Sequence, residues 1–192
     1  MKPYFNPETD LQTFRLNQTI FLRPFDDTFL ENDLMALNLL AYDQEVKKYM
    51  SGFYGIGTEA IERRKEYLIN TIMTTQMGIA FAYAIRLNAG LCGLIKVTSP
   101  SHNIVTNNFP NWLIDFVTLP MFRNKKLMKV SIPIILNHMH DVMDVEDVYA
   151  MVDSGNQVSI NLLSSIGFRD TGKPITVNEE TGNKTLLLVY RM

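Results

Sequence analysis

The sequence predicts an α/β fold built on a mixed sheet. Three observations predict it. A run from Trp112 to Phe168 reads strand, short basic turn, helix, strand, helix. Phe81, Tyr83 and Ile85 alternate with alanines, and after the turn signal Asn88-Ala89-Gly90 a second strand follows from Leu91 to Val97. Upstream, apolar residues recur at helical spacing, first at Leu30, Leu34, Leu37 and Ala41, then at Ile61, Leu68 and Ile72.

Taken in order, residues 1–17 are polar and irregular and read as an N-terminal arm on a single domain spanning 1–192. Thr19–Pro24 is a short strand. Asp26 and Asp27 supply a cap and negative charge for the first helix. SGFYGIG (51–57) is a glycine-rich loop with two aromatics, after which Thr58 is placed to cap the second helix. SPSHNIVTNNFPN (99–111) reads as a long polar loop. WLIDFVTLP (112–120), MFRNKKLM (121–128), an apolar-periodic helix carrying Ile132, Leu136, Met139 and Met143, VYAMVD (148–153) and NQVSINLLSSIGF (156–168) follow. Strands around Phe168–Val177 and Thr185–Arg191, joined by NEETGN, close the chain. The order is β-α-α-β-β-β-α-β-α-β-β, about seven strands and four helices.

Composition bounds the function. At 192 residues with 46% apolar and 20% charged residues, the chain is long enough for one ordinary core. A net charge of −2 argues against a general nucleic-acid binder. No apolar run approaches the roughly 20 residues that span a bilayer, and MKPYFNPETD has no apolar signal core, so a cytoplasmic protein is expected. The single cysteine, Cys92, lies in a strand-like setting and reads as a buried, inert thiol. His138 and His140, two apart on a helix, face different directions, so no metal site is expected.

The block from Trp112 to Phe168 resembles the GCN5-related N-acetyltransferase (GNAT) superfamily, and within it the branch acting on ribosomal-protein N-termini. The resemblance covers residues from about 18 to 191. It implies a sheet whose fourth and fifth strands splay apart, acetyl-CoA as co-substrate, and an amine acceptor on a peptide N-terminus or small molecule. A monomer or homodimer is expected, the sequence not choosing between them. In that family the turn after the fourth strand holds the coenzyme diphosphate through the pattern Arg or Gln, two residues, Gly, one residue, Gly or Ala. Arg123 matches the first position, while Lys126 and Met128 occupy the two small-residue positions.

The residues that the resemblance assigns to the cofactor are Arg123, Asn124, Lys125, Lys126, Leu127 and Met128 in the turn, backbone groups of Phe116–Leu119 (Val117 and Leu119 foremost), and Asn156 and Ser159 at the last helix. A helix N-terminus and a run of amides are anion sites in their own right. Two readings of the irregular turn stand. Side chains at 126 and 128 obstruct the phosphates and pantetheine, or the amides survive and Arg123, Lys125, Lys126 and Lys129 add charge. Pro133 leaves the helix start open between Leu127 and Ser131. Asn156 is equally suited to capping its helix, and Leu163 stands where many relatives place a tyrosine acid.

Asp115, flanked by Ile114 and Phe116, is the candidate general base if apolar surroundings raise its pKa; a salt-bridge role is the alternative. Asp153 is a weaker candidate. Tyr49, Phe53 and Tyr54 line the acceptor side or simply pack their loop. A non-catalytic binding module of the same fold is the rival function, and a different α/β fold with a structural basic turn is the more distant rival.

Overall fold

The computed structural model describes residues 4–107, 109–173, 176–177 and 184–192, the side chains of 104–107 and 176–177 excepted. Among the described residues nine strands and six α-helices make a mixed α/β fold. The chain divides into two compact units: Met1–Lys96 with Phe116–Leu127, and Val97–Asp115 with Met128–Met192.

In the first unit, part of the expected arm is a strand. β1 (Phe14–Arg15) pairs antiparallel with β2 (Ile20–Pro24), and β2 pairs along its whole length with β3 (Ala80–Leu87), from Ile20↔Leu87 to Pro24↔Tyr83. Phe5 is buried edge-on against Phe81. Asn88 takes φ +55 in the turn that leads to β4 (Gly90–Thr98), as the turn signal predicts. β3 is buried on both faces to Arg86, so its alanines face packed elements.

The first helix is shorter than its periodicity implies. α1 spans Leu30–Asn38, a 3-10 turn covers Leu39–Tyr42, and α2 (Gln44–Tyr49), which the apolar spacing does not reveal, starts at an N-cap Asp43 whose carboxylate accepts from the Val46 amide. Asp26 caps the preceding 3-10 turn through the Thr28 amide. α3 (Thr58–Gln76) has Gly57, at φ +90, rather than Thr58 in the cap position. Its buried residues are Ala60, Arg64, Leu68, Thr71 and Thr75; of the expected stripe Leu68 is fully buried and Ile72 packs partly buried on the core, while Ile61 faces solvent. The core gathers Leu37, Leu40, Phe53 and Leu68 with Ala82, Leu94, Val117 and Leu119.

In the second unit the expected polar loop contains a helix, α4 (Pro100–Asn107). Pro100 opens it, where a missing N–H costs nothing. Asn103 is buried and donates its side-chain amide to the carbonyls of Thr98 and Asn111, which polar composition alone conceals. β5 (Trp112–Thr118) contributes its first four residues to this unit, and its parallel ladder with β6 (Asp147–Asp153) pairs Trp112 with Val148 and Leu113 with Tyr149. The other five residues of β5 lie outside that ladder.

β6 pairs antiparallel with β9 (Lys184–Arg191) from Asp147↔Arg191 to Asp153↔Thr185. Two short strands, β7 (Arg169–Asp170) and β8 (Thr176–Val177), also pair with β9 and replace the single strand expected near Phe168–Val177. The NEETGN connection lies outside the described residues. α5 (Leu127–Met143) starts at Leu127, which settles its origin and puts Pro133 in its second turn. α6 (Gln157–Ser165) closes on Gly167 at φ +109, with Phe168 N–H bonding Leu163 O at 3.0 Å and Gly167 N–H bonding Ser164 O. This is a left-handed closure that favours glycine, and a Cβ there would also meet Tyr190 at 3.0 Å. Ile132, Ile135, Leu136 and Met139 of α5 with Val148, Ala150, Leu163 and Leu188 supply the core.

Candidate functional site

The first unit holds the basic turn. Val117 and Leu119 point into its core, and the chain is steered out of β5 by backbone bonds: Leu119 N–H donates to Cys92 O at 3.0 Å, and Leu119 O accepts from Phe122 N–H at 2.9 Å. Both backbone groups of Leu119 are thus engaged within the protein. A 3-10 turn, Pro120–Phe122, and then Asn124 and Lys126 follow, the last two in the left-handed region at φ +61 and φ +59. Asparagine tolerates that region; lysine does so at a cost of about 1–2 kcal/mol. Lys126 occupies the position of the family's first glycine and keeps the backbone conformation that favours glycine.

The side chains of Asn124, Lys125 and Lys126 are exposed. Arg123 is differently placed. Its guanidinium donates to the Asp43 carboxylate at 2.8 Å, so its charge is spent on the N-cap of α2. Burial alone would raise the Asp43 carboxyl, but the Arg123 hydrogen bond, the Val46 amide, the Arg123 charge and the Glu45 amide outweigh it and hold the pKa below the ordinary carboxylate value. Burial pushes the Cys92 thiol up despite the backbone of Leu87 and the charges of Arg86 and Lys125, and the thiol is buried as expected.

The loop of 51–57 lies in the same unit. Phe53 is buried edge-on against Tyr67 at 4.8 Å, while Tyr49 and Tyr54 are half-buried beneath the ammonium groups of Lys48 and Lys47. Arg64, only 1% exposed, ties the loop from below: Nη1 donates to the carbonyls of Phe53 and Gly55, and Nε donates to Asn38 Oδ1 at 2.6 Å. Among the described residues no carboxylate reaches it. Burial, then the neighbouring charge of Arg63, lowers its pKa.

The second unit holds the remaining candidates. Asp115 is exposed on β5 and is not enclosed by the apolar residues that flank it in sequence. Met128 is 5% exposed and is one of the buried residues of α5. Asn156 Oδ1 accepts from the Ser159 amide at 3.1 Å, capping α6. Its side-chain Nδ2 has no partner among the described residues. Asp153 accepts from the Gly155 amide at 2.7 Å, shaping the turn before Asn156. Leu163 is fully buried and has no acid–base capacity.

The predicted residues therefore fall into two groups, Val117, Leu119 and Arg123–Leu127 in one unit and Asp115, Met128, Asn156 and Ser159 in the other. Sequence reasoning missed Asp43 and Arg64. Asp43 could have been found as a cap before Gln44-Glu45-Val46, and Arg64 as the one charge on the Ala60–Leu68 stripe.

The resemblance seen in the sequence is confirmed by comparison. Among solved structures, the chain resembles apo RimL, described as a ribosomal L7/L12 alpha-N-protein acetyltransferase, at 16% identity and a TM-score of 0.73, covering 95% of each chain. A Salmonella typhimurium acetyltransferase that modifies the N-terminal serine of the 50S ribosomal protein L7/L12 matches at 15% identity and a TM-score of 0.74, over 94% of this chain and 99% of the other. RimL in complex with coenzyme A matches at 14% identity and a TM-score of 0.74, over 94% and 98%. No curated protein matches the sequence. The model of the acetyltransferase (GNAT) domain matches residues 19–169, which is most of this chain; with the shared fold, it establishes that the chain belongs to the GNAT acetyltransferase family.

Proposed function

We propose that this acetyltransferase-family chain is an acetyl-CoA-dependent N-acetyltransferase, acting on a primary amine by direct attack. The observation that carries the reading is the left-handed backbone at Asn124 and Lys126, immediately before the amino end of α5. The first amides of a helix lack partners inside it, and the helix dipole favours an anion there. Lys125, Lys126 and Lys129 add exposed positive charge. The residues present therefore fit a diphosphate: Asn124–Met128 through their amides, and Lys125 and Lys126 through their ammonium groups. Nδ2 of Asn156 is a donor for an amide carbonyl such as those of pantetheine. The family model runs through both units, which supports reading the chain as one domain.

Acetyl-CoA supplies an acyl thioester as the electrophile. The uncharged acceptor nitrogen forms a C–N bond as the C–S bond breaks; one proton leaves the nitrogen and one joins the departing thiolate. Leu163 cannot deliver that proton. A peptide α-amine, with a pKa of about 8, is substantially neutral at cellular pH, whereas a lysine amine at about 10.4 is not. This favours an N-terminal α-amine or a similar small-molecule amine, in line with the substrates named for the similar structures. Among the described residues no helix is long and apolar enough to cross a membrane.

Thermal unfolding with acetyl-CoA and with free coenzyme A tests binding. A hundredfold excess over Kd stabilises by about 2.7 kcal/mol, several degrees for a chain of this size. No shift at millimolar coenzyme overturns the reading. A shift without acetylation of any peptide α-amine or small amine, followed by mass spectrometry, marks the binding-module alternative instead.

A further inference from the structure

We propose that the second unit carries a separate ligand site, for a small anion bearing a planar ring. It is a cavity of about 770 Å³ on one face of β6, β9 and β7, lined among others by Phe109, Asn111, Tyr149, Arg169, Lys173 and Arg191. That size suits a small molecule.

Strand register places the recognition groups. Val189 pairs with Tyr149 on one side and Arg169 on the other, so aromatic ring, apolar floor and guanidinium stand in a row across three strands. Neighbouring strands are about 4.8 Å apart, which sets the two outer residues about 10 Å apart at the backbone. Phe109 meets Tyr149 edge-to-face, with centroids 5.4 Å apart, and stiffens the aromatic end.

The other end is electropositive. Arg169 and Lys173 are exposed and have no side-chain partner among the described residues. The Arg191 side chain is 77% exposed and only 3.6 Å from Asp147, a weak pair. The acid on the wall, Asp170, accepts from the Gly172 amide at 2.8 Å and so serves its own turn. Even with Asp170 set against one of these cations and Asp147 against Arg191, the lining keeps a net positive charge. The Asn111 side chain adds a donor and an acceptor at the rim, its main-chain carbonyl being held by Asn103. A flat ring against Tyr149 with a phosphate or carboxylate toward Arg169 and Lys173 satisfies all of these groups.

The cavity lies away from Asn156. Tyr149 is near the start of β6 and Asn156 follows its end, and the β9 residues that line the cavity are Leu187, Val189 and Arg191, beyond the Thr185 that pairs with Asp153. The site therefore stands whether or not acetyl transfer does.

The test is calorimetric titration of the full chain, saturated with coenzyme A, with adenosine 5′-monophosphate and with indole-3-acetate. Adenosine and inorganic phosphate serve as controls, and the variant is Arg169→Glu/Lys173→Glu. The expected result is stoichiometric binding of one or both ring-bearing anions, stronger than either control and weakened about tenfold or more by the double variant. Which probe prevails assigns phosphate or carboxylate. Both substituted side chains are exposed, so an unchanged Tm verifies folding. Absence of binding by both anions at millimolar concentration overturns the proposal, as does binding no better than inorganic phosphate or binding indifferent to the double variant.

Discussion

The Arg123 guanidinium and the Asp43 carboxylate meet at 2.8 Å, and the same carboxylate caps α2 by accepting from the Val46 amide at 3.0 Å. One acidic side chain thus joins the basic turn to the start of the helix that leads into the aromatic loop. Asp43→Ser keeps a capping oxygen and removes the charge, and Arg123→Ala removes the partner. Each is expected to cost about 1 kcal/mol, the pair being partly exposed. The double variant should cost little more than either single one, because both delete the same interaction. Urea unfolding of the four proteins reads this, and simple additivity would show that the pair is idle.

A second expectation concerns alkaline pH. Burial pushes the Tyr83 phenol up to about 12 from 10.0, against a backbone hydrogen bond with Gln12. The folded state then holds a proton that the unfolded state has lost. The stabilisation is complete below pH 10, falls as pH rises toward 12, and amounts to about 2–3 kcal/mol. Denaturant midpoints measured from pH 9 to 12 should fall steeply for the native chain and more gently for Tyr83→Phe. Parallel curves would refute the assignment.

Lys126 tests the turn itself. Lys126→Gly releases about 1–2 kcal/mol of left-handed strain and gives back about 0.5–1 kcal/mol of unfolded-state entropy. The variant should be more stable by about 0.5–1 kcal/mol and lose only a few-fold in coenzyme affinity. Lys126→Glu keeps the strain and reverses the charge, and should weaken coenzyme binding about tenfold or more. Equal affinities for the two variants would mean that phosphate does not sit at this turn.

The sequence carried β2 to β6 and β9, the basic turn and α6, because each is written locally: alternation in β3, a Pro120-led turn, Asn156 before an apolar run closed by Gly167. What it concealed was set by tertiary partners. Arg123 looks like a phosphate ligand until Asp43, 80 residues away, is seen to hold it. Asp115 has apolar neighbours in sequence, yet strand alternation turns it outward. Met128 looks obstructive in a motif and is core in a helix. α4 hides in polar residues because its anchor, Asn103, is satisfied by two backbone carbonyls rather than by apolar burial. Likewise α3 buries a stripe that includes an arginine, which no hydrophobic periodicity would select.

That arginine gives a fourth prediction. Arg64→Met removes the donors to Asn38, Phe53 and Gly55 and strands partly buried carbonyls. A loss of about 2–4 kcal/mol is expected, with 51–57 becoming the first site of proteolytic nicking. Arg64→Lys should rescue little, since a single ammonium cannot reproduce the fork. A native-like proteolysis pattern in Arg64→Met would remove the loop-tethering role.

Asn156 separates structure from binding most cleanly. Its Oδ1 caps α6, while its Nδ2 is the group proposed to face the coenzyme. Asn156→Ala loses both and should cost about 1 kcal/mol of stability together with coenzyme affinity. Asn156→Asp keeps the capping oxygen and adds favourable charge at the helix N-terminus, so stability should hold or rise. Without the amide donor, and with a negative charge in its place, that variant should still bind coenzyme several-fold more weakly. Thermal unfolding with and without acetyl-CoA distinguishes the two effects. If Asn156→Asp binds like the native protein, the side chain is a cap alone, and recognition of the coenzyme must rest on the turn at Asn124–Met128.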